Sequence, residues 1–317
     1  MKKFFISVML MALLASCNKD REFPDYKYQT VYFAYQYPVR TITLGEDIFN
    51  TDLDNQHKCK IMATTGGVYY SKKNVTIGIS IDNSLLGNGL KFSPTGDEIK
   101  AMPTNYYSLA ANQIVIPEGS LTGGVEVQLT DAFFNDPLAI KNTYVIPVRM
   151  TSKGDVDSIL TGKNFTLYAI KYVNPWHGNY LRRGKDQIIG SVTQTNIRHK
   201  QYVEDDDVNK ISTRSMKEVE FPVVYKDKDG KNVNCTLLLT FDDAGKCTIS
   251  SATTSITASG NGQFVKMGEK NSWGSKDRDA IYLNYQVNLT DMNVTTMDTL
   301  VLRDRAVTME VFTPAAK

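Results

Sequence analysis

The sequence has little of what most catalytic or nucleic-acid-binding chains need. Its 3 histidines, His57, His177 and His199, are spread through 317 residues, and no HExxH or other close pair offers zinc a chelate. Its 4 cysteines form no C-x-x-C, and GxSxG is absent, so neither a metal-knuckle spacing nor a nucleophile elbow is present. Charge of one sign is also missing. The formal +2 comes from Lys2 and Lys3, and without them 34 basic residues face 34 acidic ones. A neutral chain has no electrostatic footprint for nucleic acid. After the first turn of the leader described below, no apolar run approaches the roughly 18 residues that span hydrocarbon. Hydrophobic residues at 42% and charged residues at 22% exclude long disorder and collagen-like sequence.

What is present begins at the N-terminus. Lys2 and Lys3 form a positive n-region, Phe4 to Ala15 an apolar stretch of 12 residues, and Leu14-Ala15-Ser16-Cys17 a lipobox. Residues 1–17 therefore read as a lipoprotein signal peptide, with Cys17 as the lipid anchor and 18–29 as a tether. The expected membrane attachment is through acyl chains, each buried methylene contributing about 0.8 kcal/mol. Of the other cysteines, Cys235 and Cys247 flank a hairpin with its turn at Asp242-Asp243-Ala244-Gly245. Pairing Phe241 with Lys246 would put Cys247 opposite Thr240, on the face away from Cys235. Free, mostly buried thiols are expected.

The rest is strand-rich and divides at Asn174-Pro175-Trp176-His177-Gly178-Asn179-Tyr180, where Asn-Pro favours a turn. At this length two cores are expected, one over 30–173 and one over 174–317. In the first, Val75, Ile77, Ile79 and Ile81 alternate on one face, as do Val125, Val127 and Leu129. About eight short strands separated by turn clusters read as an immunoglobulin-like β-sandwich. Pro147 should sit at an edge or bulge, and Ser93 to Leu109 lacks alternation and suits a short helix. In the second, Met216 to Tyr225 and Asn232 to Phe241 flank an Asp-Gly hairpin signal. Further strands are expected at Lys246 to Ser251, Ala280 to Leu289 and Asp298 to Phe312. Successive hairpins describe an antiparallel up-and-down meander, which must close or cover its edges.

Ile114-Val115-Ile116-Pro117-Glu118-Gly119-Ser120, Gly124-Val125-Glu126-Val127 and Tyr144-Val145-Ile146-Pro147-Val148 resemble the adhesin-like N-terminal domain of Bacteroidetes surface lipoproteins. That family also precedes the catalytic domain in some secreted endoglycosidases. Trp176-x-Gly178-x-Tyr180, Ser272-Trp273-Gly274 and Asp279-Ala280-Ile281-Tyr282-Leu283 resemble the lipocalin-like C-terminal domain paired with it. Asn18-Lys19-Asp20-Arg21-Glu22 is similar to the charged tag of lipoproteins exported to the cell surface. Asp157-Ser158-Ile159 and Asp298-Thr299-Leu300 resemble O-glycosylation acceptors. The resemblance implies an outer-membrane location facing the exterior, beside glycan-utilisation machinery and its transporter.

The chemical candidates are few. The run Glu204-Asp205-Asp206-Asp207 reads as an exposed loop, Asp227-Lys228-Asp229-Gly230 as a hairpin turn without EF-hand spacing, and His177 as structural. No metal, cofactor or catalytic residue is assigned, and the chain lacks the D-x-x-D-x-D-x-E signature of chitinase-like glycosidases. Among the aromatics, Trp273 stands in a polar, turn-like setting. It is either a sugar-stacking platform or a plug under the barrel end. With Arg278 and Asp279 it forms the candidate carbohydrate-binding set. The expected function is non-catalytic capture of a polysaccharide or oligosaccharide. The alternatives are a structural or adhesive protein binding another protein, and a glycan hydrolase whose carboxylates come together only in the fold.

Overall fold

A computed structural model describes residues 23, 26–87, 89–190, 193–227 and 229–316. Cys17, the signal peptide and the charged tag lie outside the described residues. The protein is all-β, with a two-sheet sandwich followed by a closed 8-strand antiparallel barrel.

In the sandwich, one sheet runs Ser158–Ile159, Thr30–Tyr32, Lys58–Gly66, Thr122–Leu129 and Tyr107–Leu109 in spatial order. The other runs Glu310–Val311, Pro38–Thr43, Phe165–Val173, Tyr144–Ser152, Val75–Ile81 and Gln113–Ile116. Period-two alternation drives the packing: Val75, Ile77 and Ile79 from one sheet and Val125, Val127 and Leu129 from the other are buried in the same core. Ile81, at the strand end, is exposed. Pro147 departs from expectation, because it lies within an interior strand. Its missing N–H is tolerated because the ladder to Val75–Ile81 begins only at Val148↔Ile81, so the imide nitrogen faces the ladder's end. Ser93 to Leu109 holds short strands, Lys100–Ala101 and Tyr107–Leu109, in place of the expected helix.

The barrel is a meander in which Gly178–Gly190 pairs with the last strand, Met292–Asp304, and closes the wall. Its interior is apolar at the end nearest the sandwich, where Trp176 stacks on Phe241 at 4.1 Å between ring centroids. Two register findings correct the sequence reading. Phe241 pairs with Cys247 and Thr240 with Thr248, because Asp242 and Lys246 close a longer turn. Cys247 therefore faces inward like Cys235, and both are buried free thiols. The expected strand from Asp298 to Phe312 ends at Asp304. Beyond it, Glu310–Val311 pairs with Pro38–Val39, and Thr313–Ala315 with Lys91–Ser93. Phe312 is buried between Phe92, Val145 and Leu167, so the tail returns to the sandwich and ties both parts together.

Arg305 secures the same junction. Its guanidinium donates to the carbonyls of Leu44 and Glu46 in the sandwich at 2.9 and 2.6 Å, and of Asn174 and His177 at 2.7 and 2.8 Å. A planar fork with several donors suits convergent carbonyls, where an ammonium would not. Beside it, His177 Nδ1 accepts from the Thr213 N–H at 3.0 Å.

Candidate functional site

A hollow of about 1070 Å³ lies on the outer wall of the barrel. Register explains it. Thr240, Thr248, Asn261, Asn284, Met297 and Lys185 are successive cross-strand partners, forming one row across neighbouring strands. Two positions along, Lys246, Gln263, Tyr282 and Thr299 form a second row by the same pairings. Strand alternation points these side chains outward, while Phe241, Cys247, Leu283 and Asp298 between them are buried. With strands about 4.8 Å apart, the first row extends some 24 Å. That length suits an extended ligand crossing several strands.

The wall is concave because glycines lie beneath it. A Cβ on Gly262 would collide with Leu283, the Tyr282 carbonyl and the Cys247 sulfur, and one on Gly184 with the Met297 carbonyl and Asp298. Without side chains at these inward positions, the sheet sinks toward the core and the outer face is drawn in.

The rows carry amides, hydroxyls, one phenol ring, one thioether and two ammonium groups. Among the described residues, the side-chain amides of Asn261 and Asn284 bond to no other group. The Tyr282 ring is held in place by its hydroxyl, which donates to Glu269 at 2.7 Å. Burial first, then that carboxylate, pushes the phenol up to about 12, so it stays neutral at any physiological pH. Asp242 at the border accepts from the Ala244 and Lys246 N–H groups, and Asp298 faces the barrel interior in ion pairs. The groove thus presents amides, hydroxyls and two ammonium groups beside an apolar ring face.

The sequence candidates lie elsewhere, together at the tip of the hairpin formed by Thr257–Ser272 and Lys276–Asn288. Trp273 Nε1 donates to the Leu302 carbonyl at 3.2 Å. Arg278 lies over the indole, 3.5 Å from the ring centroid, and donates back to the Trp273 carbonyl. Burial lowers the Arg278 pKa. Asp279 accepts from the Met267 N–H at 2.8 Å. Arg278 and Asp279 border a hollow of about 250 Å³ facing residues 46–48, which Trp273 does not line.

Other sequence candidates also acquire positions. The acidic run is not simply an exposed loop, because Asp206 is buried and accepts from Arg183 Nε at 2.6 Å and from the Lys200 N–H. Ser158 and Thr299 of the two acceptor-like triplets both lie within strands.

Comparison with known proteins follows the same two-part plan. A family described as a "-like, N-terminal domain" matches residues 26–157, and a domain of unknown function, DUF5627, matches residues 175–306. A crystal structure of a Bacteroides ovatus protein of unknown function is 46% identical over 92% of this chain and 100% of that chain, with a TM-score of 0.87. This chain belongs to that protein's family. Two more distant structures each share 12% identity: an auxiliary nutrient binding protein from Bacteroides thetaiotaomicron and a two domain protein with unknown function from Bacteroides fragilis. The first covers 83% of this chain and 90% of its own, with a TM-score of 0.38; the second covers 90% and 89%, with 0.33. At those scores neither bears on the groove. No curated protein matches the chain.

The groove residues were beyond reach of the sequence reading. Thr240, Thr248, Asn261 and Asn284 lie in separate strands, and only correct register makes them neighbours. The signal available was weak: polar residues recurring at outward positions of consecutive hairpin strands.

Proposed function

We propose that this chain is a lipid-anchored outer-membrane protein, facing the cell exterior, that holds carbohydrate without cleaving it, as part of a glycan-utilisation system and near its transporter. The observation that carries the binding role is the outer groove, with its rows of amides and hydroxyls and the exposed Asn261 and Asn284 amides that bond to no other described side chain. Planar amides bind vicinal hydroxyls, the Tyr282 ring packs against a sugar face, and the length of the row matches a chain of linked units. Acid–base hydrolysis needs a carboxylic acid and a carboxylate about 5–10 Å apart across the scissile bond. The carboxylates bordering the groove are engaged in a turn and in interior ion pairs. The anchor at Cys17 rests on the lipobox and its short apolar stretch.

Affinity electrophoresis of residues 18 to 317 through host and plant polysaccharides tests this. Retardation by at least one glycan is expected, with loss on replacing Asn261 and Asn284 together by Ala and no change in thermal unfolding. Retardation abolished by Trp273→Ala but not by the double substitution would move the site to the hairpin tip. A folded protein retarded by no polysaccharide would overturn carbohydrate capture and favour an adhesive role.

A further inference from the structure

The barrel carries a second opening, separate from the outer groove. Gln194–Arg198 pairs with one end of Gly178–Gly190, while Asp207–Thr213 pairs with the other end. The ladder from the latter strand to Glu218–Lys226 holds only Ser212↔Glu220 and Thr213↔Val219, extended by the Asn209 amide, which donates to the Pro222 carbonyl at 3.0 Å. Past that short contact the wall parts. A cavity of about 440 Å³ lies there, bordered by Arg182, Asp186, Arg198, Val224, Tyr225 and Lys226, within the ordinary size range of small-ligand sites, roughly 300–1,000 Å³.

Its inner end is a buried charged network. Arg182 Nε donates to Asp298 at 3.1 Å, and its NH2 group to Tyr285 Oη at 3.2 Å. Tyr285 in turn donates to Asp298 at 2.8 Å. Arg198 pairs with both Asp186 and Asp298, and Asp186 also accepts from the Thr296 hydroxyl at 2.7 Å. The carboxylates are therefore well supplied with donors. The shortage is of acceptors. Arg198 Nε is buried without one, and Tyr225 Oη, near the Tyr285 and Thr296 hydroxyls, completes no well-formed hydrogen bond. A buried polar group left unmet is destabilising, and two bordering one cavity mark the position of a missing acceptor. Charge agrees: Arg182, Arg198 and Lys226 outnumber Asp186 and the Asp298 behind it. On the cavity side, Gln194 and Asn196, which share the face of their strand with Arg198, offer amides, and buried Ile188 an apolar wall.

We infer that the side opening of the barrel binds a small sugar acid, its carboxylate seated against Arg198 and Tyr225 and its hydroxyls toward Gln194 and Asn196. The inference does not depend on the outer groove. Polymer held outside and a charged monosaccharide held within are separate events.

The test is isothermal titration of residues 18 to 317 with glucuronate and with glucose. Glucuronate is expected to bind at least tenfold more tightly than glucose. Tyr225→Phe, which removes one hydroxyl, should weaken glucuronate by about five- to tenfold, and Asn196→Trp, which fills the opening from the inward face of its strand, should abolish it. Neither substitution should alter retardation by polysaccharide. The inference is overturned if glucuronate gives no binding heat up to about 10 mM, if glucose binds equally well, or if folded Tyr225→Phe protein binds glucuronate as tightly as the parent.

Discussion

The two interiors of this molecule are built on different terms. The sandwich encloses Val31, Ile42, Ile77, Ile114, Ile146 and Val148 in an apolar cluster, and its buried carboxylate, Asp54, lies at the margin with Arg40 and the Thr43 N–H. The barrel interior is also largely apolar, from Trp176 and Phe241 to Ile188 and Val294, but it is interrupted by a charged network beside the side opening. Burial of apolar area stabilises the first at about 25 cal/mol per Å². Ion pairs in the second must recover a large desolvation cost, so they are weak evidence of stability. A fold that needed only a plug could fill this end with leucine. Placing two arginines, two aspartates and two tyrosines there is consistent with an interior shaped for a polar guest.

The contrast is broken most forcefully at Asp298, whose carboxylate meets Arg182, Arg198 and Tyr285. Asp298→Ala leaves two guanidinium groups short of a counter-charge in a site where Arg182 is buried. The expected loss is about 3–5 kcal/mol in urea unfolding followed by barrel fluorescence. A loss below about 1 kcal/mol would mean that the network is hydrated and not part of the interior.

His177 probes the seam between the two interiors. Burial, with nearby Lys210 and Arg305 adding to it, lowers its pKa from 6.5 to about 4. A folded-state pKa below the unfolded one means that the unfolded chain binds the extra proton. Stability from the neutral imidazole is therefore complete above about pH 6.5 and is lost as pH falls toward 4. The size is about 3 kcal/mol across that window. Urea midpoints at pH 7.5 and pH 4.5 should show a steeper acid loss in the parent than in His177→Asn. Parallel profiles would show that the ring is protonated in place.

The sequence was legible where one strand suffices to decide an outcome. Alternation at Val75–Ile79 and Val125–Leu129 placed both sandwich faces, and Asp229-Gly230 marked a real hairpin between Glu218–Lys226 and Asn232–Phe241. It was illegible where the outcome depends on register between strands. Placing Lys246 opposite Phe241 put Cys247 on the wrong face, and the same one-residue slip would break the row from Thr240 to Asn261 on which the groove depends. Arg182 and Asp298, separated by 116 residues, carried no local pattern at all. The tail beyond Asp304 was missed for a similar reason, since Phe312 finds its pocket in a sheet formed far earlier in the chain.

The finest test uses side-chain changes of a single small group. Ile77 is fully buried in the sandwich, so Ile77→Val removes one methylene and should cost about 0.5–1.5 kcal/mol. Thr296 is equally buried in the barrel but spends its hydroxyl on Asp186. Thr296→Val keeps the shape and makes the side chain more apolar. In an interior like that of the sandwich it would stabilise. In the charged end of the barrel it leaves Asp186 one donor short, and the expected outcome is a loss of about 1 kcal/mol. Stabilisation by Thr296→Val would show that both interiors obey the same apolar rule and would remove the contrast drawn between them.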